Sequence, residues 1–327
     1  MITVVIPTIG RPSLRATLAA LTGVPVVVAD DRRGAAEPLE VPAGVRVVRS
    51  GGRGPAAARN AGWRAADTPW VAFLDDDVVP SPGWVDAVRE DLADLPEDVA
   101  GSQGRIVVPL PAGRRPTDGE RHTAGLAGAD WPTADMAFRL SALERVGGFD
   151  ERFPRAYRED ADLALRLLRT GYRLVKGARV TVHPVRDDGF WASVRFQRGN
   201  ADDARMRRLH GPGWRAAIGA RGRLRRHAVT TACAAAALAL GTASVLASGG
   251  ARRGRVPVRG PCLAAWPRRG AGWAAAGWAL MTAEFAWARV RPGPRTPAET
   301  ARMVVTSLLI PPAACWHRLR GEWEVRR

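Results

Sequence analysis

Three carboxylates stand side by side where an apolar run ends, in Trp70-Val71-Ala72-Phe73-Leu74-Asp75-Asp76-Asp77, and Pro80 follows shortly after. Like charges this close repel one another and are costly to desolvate unless something positive sits among them. A divalent cation with hard oxygen ligands is the natural partner. A second acidic pair, Asp30-Asp31, closes the apolar run Val24 to Ala29. A third, Glu159-Asp160, opens a stretch with helical periodicity. Any one of these has a bland account: a solvated turn for the first two, a favourable charge at a helix N-terminus for the last. Two acidic clusters at strand ends are harder to dismiss than one.

The elements that must position them read as an alternation. Ile2 to Ile6 is a β-branched run closed by Pro7, and Ser13 can cap a helix bearing Leu14, Leu18 and Leu21. Val24 to Ala29 and Val45 to Val48 read as further strands. Pro55 opens a small-residue helix containing Arg59, Asn60 and Trp63 before the strand Trp70 to Leu74. This rhythm predicts a mostly parallel α/β sheet, with ligands beyond the carboxyl ends of its strands. Beyond Asp160 a helix carries Leu163, Leu167 and Leu168 and closes at Gly171; Arg173 to Val182 reads as edge strand, ended by His183-Pro184.

Charge divides the 327 residues unevenly. From Arg205 onward there are 22 Arg and 4 Glu, a net of +18, against 27 basic and 28 acidic residues before that point. The whole excess of +17 therefore belongs to the tail, which points to an anionic surface as partner. Cys233, Cys262 and Cys315 have no metal-type spacing and cannot all pair, which argues for a reducing compartment. The chain enters an apolar strand within its first residues, so no signal peptide is expected.

Seven pieces in order carry a resemblance: Val4-Val5-Ile6-Pro7-Thr8, Val28-Ala29-Asp30-Asp31, Ala58-Arg59-Asn60-Ala61-Gly62, Phe73-Leu74-Asp75-Asp76-Asp77, Gly147-Gly148-Phe149-Asp150-Glu151, Glu159-Asp160 and the late His183. With them, residues 2–190 resemble family 2 glycosyltransferases, which adopt the GT-A fold and are often metal-dependent and inverting. The resemblance implies a nucleotide-sugar donor held by Pro7, Thr8, Asp30, Asp31, Arg59, Asp75 and Asp76. Asp31 would accept a hydrogen bond from the base, with Asp30 in support, and Arg59 would lie near the nucleotide or diphosphate. Asp77 would be the direct ligand of Mn²⁺ or Mg²⁺, joined by Asp75 and His183. Asp160 would be the catalytic base, with Glu159 assisting it or positioning the acceptor. Two departures bear on recognition: Arg32-Arg33 stands where the family often has Gly-Ser, and Asp135 where many members carry Asn.

The sequence predicts a GT-A domain over 1–204 and an Arg-rich helical region over 205–327. That region holds the uncharged run Ala228 to Ser248, a tryptophan-bearing run Ala271 to Ala288, and a run Met303 to Trp316 broken by Pro311-Pro312. An arginine-rich stretch, Arg252 to Arg269, would lie outside a spanning hairpin, against the positive-inside tendency. Helices lying in the cytoplasmic face of the membrane are therefore expected, ahead of a spanning pair or a soluble subdomain. The expected acceptor is a glycan, lipid-linked or of the cell envelope. A sugar-nucleotide-forming nucleotidyltransferase shares the architecture, but Pro7-Thr8-Ile9-Gly10-Arg11-Pro12 is a poor version of its glycine-rich loop. The tail's arginines alternate with long apolar runs, so nucleic acid is not an expected partner.

Overall fold

The computed structural model of the chain describes residues 1–250 and 265–326. Cys262 and most of the arginine-rich stretch after Arg252 lie outside the described residues. Two compact units are present. The first comprises Met1–Pro111, Gly119–Asp187 and Arg205–Ala220; the second comprises Ala112–Asp118, Asp188–Ala204 and Arg221–Arg327. The division in space therefore does not follow a single cut at 204/205. Met206 and Trp214 explain the difference, because both are buried with Phe153, Ala161 and Leu165 in the core of the first unit.

The first unit is built on one eight-stranded sheet: β1 Ile2–Thr8, β2 Val26–Asp30, β3 Arg46–Arg49, β4 Trp70–Leu74, β5 Val79–Pro80, β6 Val99–Val107, β7 Asp135–Arg139 and β8 Arg173–Val182, in the order β3-β2-β1-β4-β7-β6-β8-β5. Strands β3, β2, β1 and β4 run parallel, and β7 pairs antiparallel with both β4 and β6. This is the GT-A arrangement expected from the sequence. Strands β2 and β4 are buried at every position, as strands covered on both faces must be, hence their unbroken apolar runs.

Five principal helices flank the sheet: α1 Leu14–Ala19, α2 Pro55–Trp63, α3 Trp84–Ala93, α4 Leu140–Val146 and α5 Glu159–Arg169. Helix α2 lies so close to β1 that a Cβ on Gly62 would stand 2.3 Å from Val5 Cγ1. Its small residues Ala56, Ala57 and Ala58 allow that approach, and it is this approach that carries Arg59 inward. Residues 205–220 brace α5 from behind. His210 Nε2 lies 2.8 Å from Asp162 Oδ1, whose other oxygen accepts from Arg166.

Strand β6 has no apolar alternation to announce it. Gly101 and Gly104 are there because a Cβ would strike Ala137 O at 2.8 Å or the Asp135 carboxylate at 2.3 Å. Asp135 itself is fully buried, accepting from Trp84 Nε1 at 2.8 Å, Arg179 Nε at 2.7 Å and Thr181 Oγ1 at 2.5 Å. Arg179 also donates to Asp91 and Ser102. Asp135 thus serves a buried ion-pair network.

The second unit centres on three long helices: α6 Leu224–Gly250, α7 Ala265–Val290 and α8 Pro297–Glu324. Within α6, Leu224–Leu246 has mean hydropathy 1.8, and among the described residues it is the one helix long and apolar enough to cross a membrane. The run expected to break at Pro311-Pro312 is instead continuous helix. The missing proline amides are offset by burial of Met303, Ile310, Pro311 and Ala314 on the same face. Cys233 and Cys315 are both free thiols.

The Asp135 network yields a prediction for stability. Asp135→Ala leaves the Arg179 guanidinium buried without its closest carboxylate, so denaturant unfolding should show a loss of about 3–5 kcal/mol. A variant as stable as the parent would mean that the network contributes nothing.

Candidate active site

A pocket of about 450 Å³ opens at the carboxyl ends of β1, β2 and β4. It is formed by the end of β1 and the turn after it (Pro7, Thr8, Ile9, Arg11), the residue after β2 (Asp31), the start of α2 (Gly54, Pro55, Ala58, Arg59) and the acidic triplet after β4. Residues 154–156 and the segment carrying His183 and Arg186 complete the lining. The triplet reaches it because β4 is a central, fully buried strand that cannot continue through three charges.

Each carboxylate of the triplet has its own cation. Asp75 Oδ1 accepts from Arg59 Nη2 at 2.8 Å. Asp76 accepts from Thr8 Oγ1 at 2.6 Å and Arg11 Nη1 at 2.7 Å. Asp77 lies 2.9 Å from Arg186 Nη1, 3.7 Å from His183 Nε2 and 3.8 Å from Arg11. Burial and the neighbouring Asp75 push the Asp77 carboxyl above its ordinary range, opposed by Arg186 and His183.

Arg59 is only 2 % exposed and bridges two acids, Asp75 and Glu159, each at 2.8 Å. It is neither a surface helix arginine nor a free phosphate ligand. Glu159 is likewise buried, and burial, followed by the charge of Asp160, pushes its carboxyl up to about 8 against the pull of Arg59. Asp160 is half-buried; desolvation raises its carboxyl too, while Oδ1 accepts from the Ala161 amide at 2.7 Å. Neither Glu159 nor Asp160 lines the 450 Å³ pocket itself. They start α5 immediately after Arg158, whose φ of 78° is a strained conformation for a side-chain-bearing residue.

The two aspartates at the end of β2 part company. Asp31 faces the pocket, with Oδ1 accepting from Ser50 Oγ at 2.6 Å and Oδ2 from the Gly54 amide at 2.9 Å. Gly54 has φ 100°, and a Cβ there would lie 2.9 Å from Pro154 O, so the residue must be glycine. Asp30 is buried away from the pocket and accepts from Arg32 Nε and Nη2 at 2.9 and 2.8 Å, which lowers its pKa. That contact accounts for Arg32: it neutralises a buried acid.

As for a metal, no group of three His, Cys, Asp or Glu side chains among the described residues is arranged to hold one. Asp77 and His183 do come together, whereas Asp75 is turned to Arg59. Arg11 and Arg186 were not singled out by sequence reasoning. Their only signal was position: Arg11 follows the first strand and Arg186 stands three residues beyond His183.

Glu159 gives a sign for pH dependence. Its carboxyl binds a proton more readily folded than unfolded, so the native state holds the extra proton between the ordinary carboxylate range and about 8. This group's contribution to stability therefore falls as pH rises through that window. Thermal unfolding between pH 5 and 8 (a range within about 1 unit of those limits) should show a shallower decline in Glu159→Gln than in the parent. Parallel profiles would place the Glu159 carboxyl in its ordinary range.

Residues 3–146 match the model of Glycosyl transferase family 2. Two relatives, both pre-mycofactocin glycosyltransferases from strains of Mycobacterium tuberculosis, are 36 % identical over 195 residues, which cover 53 % of this chain and 40 % of theirs. The chain thus spans about two-fifths of the length of the curated relatives it matches. Among solved structures, glucosyl-3-phosphoglycerate synthase from Mycobacterium tuberculosis, in complex with Mn²⁺, UDP-glucose and phosphoglyceric acid, superposes with a TM-score of 0.43 at 18 % identity, covering 61 % of this chain and 77 % of the other. S. aureus TarS gives a TM-score of 0.42 at 14 % identity, covering 63 % and 39 %. At these scores neither structure carries an argument about chemistry. What carries the likeness is the sequence match and its ordered motifs: over residues 3–146 the chain is similar to glycosyl transferase family 2.

Proposed function

We propose that the chain transfers a sugar from a nucleoside-diphosphate sugar to a hydroxyl acceptor, with inversion at the anomeric carbon and with Mn²⁺ or Mg²⁺ at the donor diphosphate. One observation above all supports this reading. Asp75, Asp76 and Asp77 share a single strand-end pocket with Arg11, Arg59 and Arg186.

In such a transfer the acceptor O–H loses its proton as its oxygen bonds to the anomeric carbon. The opposite bond, from carbon to the diphosphate oxygen, breaks with its electron pair leaving on the diphosphate. The chain must therefore supply a base and a stabiliser for the leaving charge. Asp160 is assigned the base: its raised pKa makes it a stronger proton acceptor than an ordinary aspartate. Glu159, tied to Arg59, holds the start of α5 in place beneath it. Arg11 and Arg186 are positioned to receive the diphosphate, since both already stand at the rim of the acidic triplet. Asp31 and the Gly54 turn are assigned to the nucleoside, and Thr8 orients Asp76.

Asp77 and His183 would hold the cation. Two protein ligands fit that role, because Mg²⁺ and similar ions in phosphate sites are commonly held by one or two carboxylates together with the substrate's own phosphates. When bound, the ion supplies Lewis-acid stabilisation of the departing diphosphate.

The second unit supports a membrane-associated enzyme acting at the cytoplasmic face on a lipid-linked or cell-envelope glycan. It presents the apolar helix Leu224–Leu246 and the exposed Trp273, Leu280, Trp316 and Leu319 beside many arginines.

A thermal-shift panel of UDP, GDP, dTDP and CDP, each with and without Mn²⁺, tests the donor site. One nucleotide should raise the melting temperature in a Mn²⁺-dependent way, and Asp77→Ala should lose that increment. An unchanged increment in Asp77→Ala ends the metal assignment.

The base assignment has its own test. Asp160→Asn should lower turnover by about 10²–10⁴ while leaving the nucleotide shift intact, because the loss falls on proton transfer. Collapse of nucleotide binding instead would make Asp160 a donor residue. Release of inorganic diphosphate, in place of a nucleoside diphosphate, would identify a nucleotidyltransferase.

A further inference from the structure

The helical unit holds a cavity of about 460 Å³ between α7 and α8. Thr282, Ala286 and Val290 recur one turn apart on α7, and Val304 and Leu308 do so on α8, so two helix faces form a straight trough. Trp278 and Trp287 also line it. Its walls are almost wholly hydrocarbon and indole.

Two threonines interrupt them, Thr282 and Thr300, and the first is the one without a partner. Thr282 is 7 % exposed and its Oγ1 has no hydrogen-bond partner. A helical threonine ordinarily donates back to the carbonyl one turn earlier, as Thr230, Thr231 and Thr306 all do in this unit. A buried hydroxyl left unpaired is unfavourable, and an oxygen-bearing ligand in the trough would relieve it.

One end of the trough is cationic. Arg291 follows Val290 directly, and the Arg295 guanidinium lies 5.7 Å from the Trp287 ring. The nearby acids are engaged elsewhere. Glu299 accepts from the Asp118 amide at 2.8 Å and lies 3.9 Å from Arg302, while Glu284 is paired with Arg226. The five steps from Thr282 to Trp287 span about 7.5 Å of helix. That is comparable to the reach from phosphate to acyl ester in a glycerophospholipid.

We propose that this trough binds one acyl chain of an anionic glycerophospholipid, with its phosphate at Arg291 and Arg295 and an ester oxygen accepting from Thr282. The proposal rests on the membrane reading of the helical unit and is independent of glycosyl transfer.

The test is native mass spectrometry of the full chain in detergent, incubated with phosphatidylglycerol or with phosphatidylcholine. The parent should retain one phosphatidylglycerol per chain and markedly less phosphatidylcholine. Thr282→Val keeps the shape and removes the unpaired hydroxyl, so retention should fall about tenfold, the worth of one hydrogen bond to a ligand, with no drop in melting temperature. Ala286→Trp fills the trough and should abolish retention, its fold checked by circular dichroism. The Arg291→Gln, Arg295→Gln double variant should retain the two lipids equally.

Equal retention by the parent and both trough variants would reduce the lipid to a non-specific coat and overturn the proposal. The mass of a second copy in place of lipid would make the trough a self-interface, which overturns it too. Sedimentation with phosphatidylglycerol vesicles separates the two layers of the reading. A chain that sediments yet retains no lipid loses the trough alone, and one that stays in the supernatant loses the membrane reading and the trough together.

Discussion

The site depends on one buried guanidinium. Arg59 sits between Asp75 at the end of β4 and Glu159 at the start of α5, and it does so almost entirely out of water. The guanidinium is desolvated there between a buried acid and a partly exposed one, which is tolerable only while its partners are present. The contact also fixes geometry. It ties the first inward-facing turn of α2, the acidic triplet and the helix bearing Asp160 to a single point. Arg59 Nε and Glu159 Oε2 remain without partners, so even this pairing leaves polar atoms unsatisfied where a fully compensated structural network would not.

The same logic runs through the rest of the unit, with different outcomes. Asp30 with Arg32, and Asp135 with Arg179, are acids whose cation closes on them completely and removes them from the pocket. Asp76 and Asp77 are held by Arg11 and Arg186, side chains roughly two-fifths exposed and so still open to water. Accessibility of the cation separates structural acids from those available for binding. The strained Arg158 and the obligatory Gly54 lie where the chain must bend sharply to form the walls of the pocket.

The helical unit obeys a different constraint. Its long helices bury one face against each other and present leucines and tryptophans on the other, so their outer surface is incompatible with water over much of its length. Helix α8 continues through Pro311 and Pro312 because its buried face outweighs two lost amide bonds.

Much of this was legible in the chain of letters. Buried parallel strands require continuous apolar runs, so β1, β2 and β4 announce themselves, and the acids that end them fall at the sheet edge where ligands bind. The ordered motifs carried the resemblance that the match over residues 3–146 repeats, and the charge asymmetry marked the tail as different in kind. Strand β6 was not legible, because its glycines answer to Ala137 and Asp135, which are distant in sequence and adjacent only in the sheet. The roles of individual acids were not legible either. Asp30 and Asp31 are neighbours of the same type, yet one faces an arginine and the other a pocket. Arg11, Arg186 and the return of residues 205–220 to the first unit depend on contacts across 65, 109 and about 50 positions respectively. Local sequence fixes which way a backbone can run; which charge meets which across such distances is decided only when the sheet closes and water is excluded.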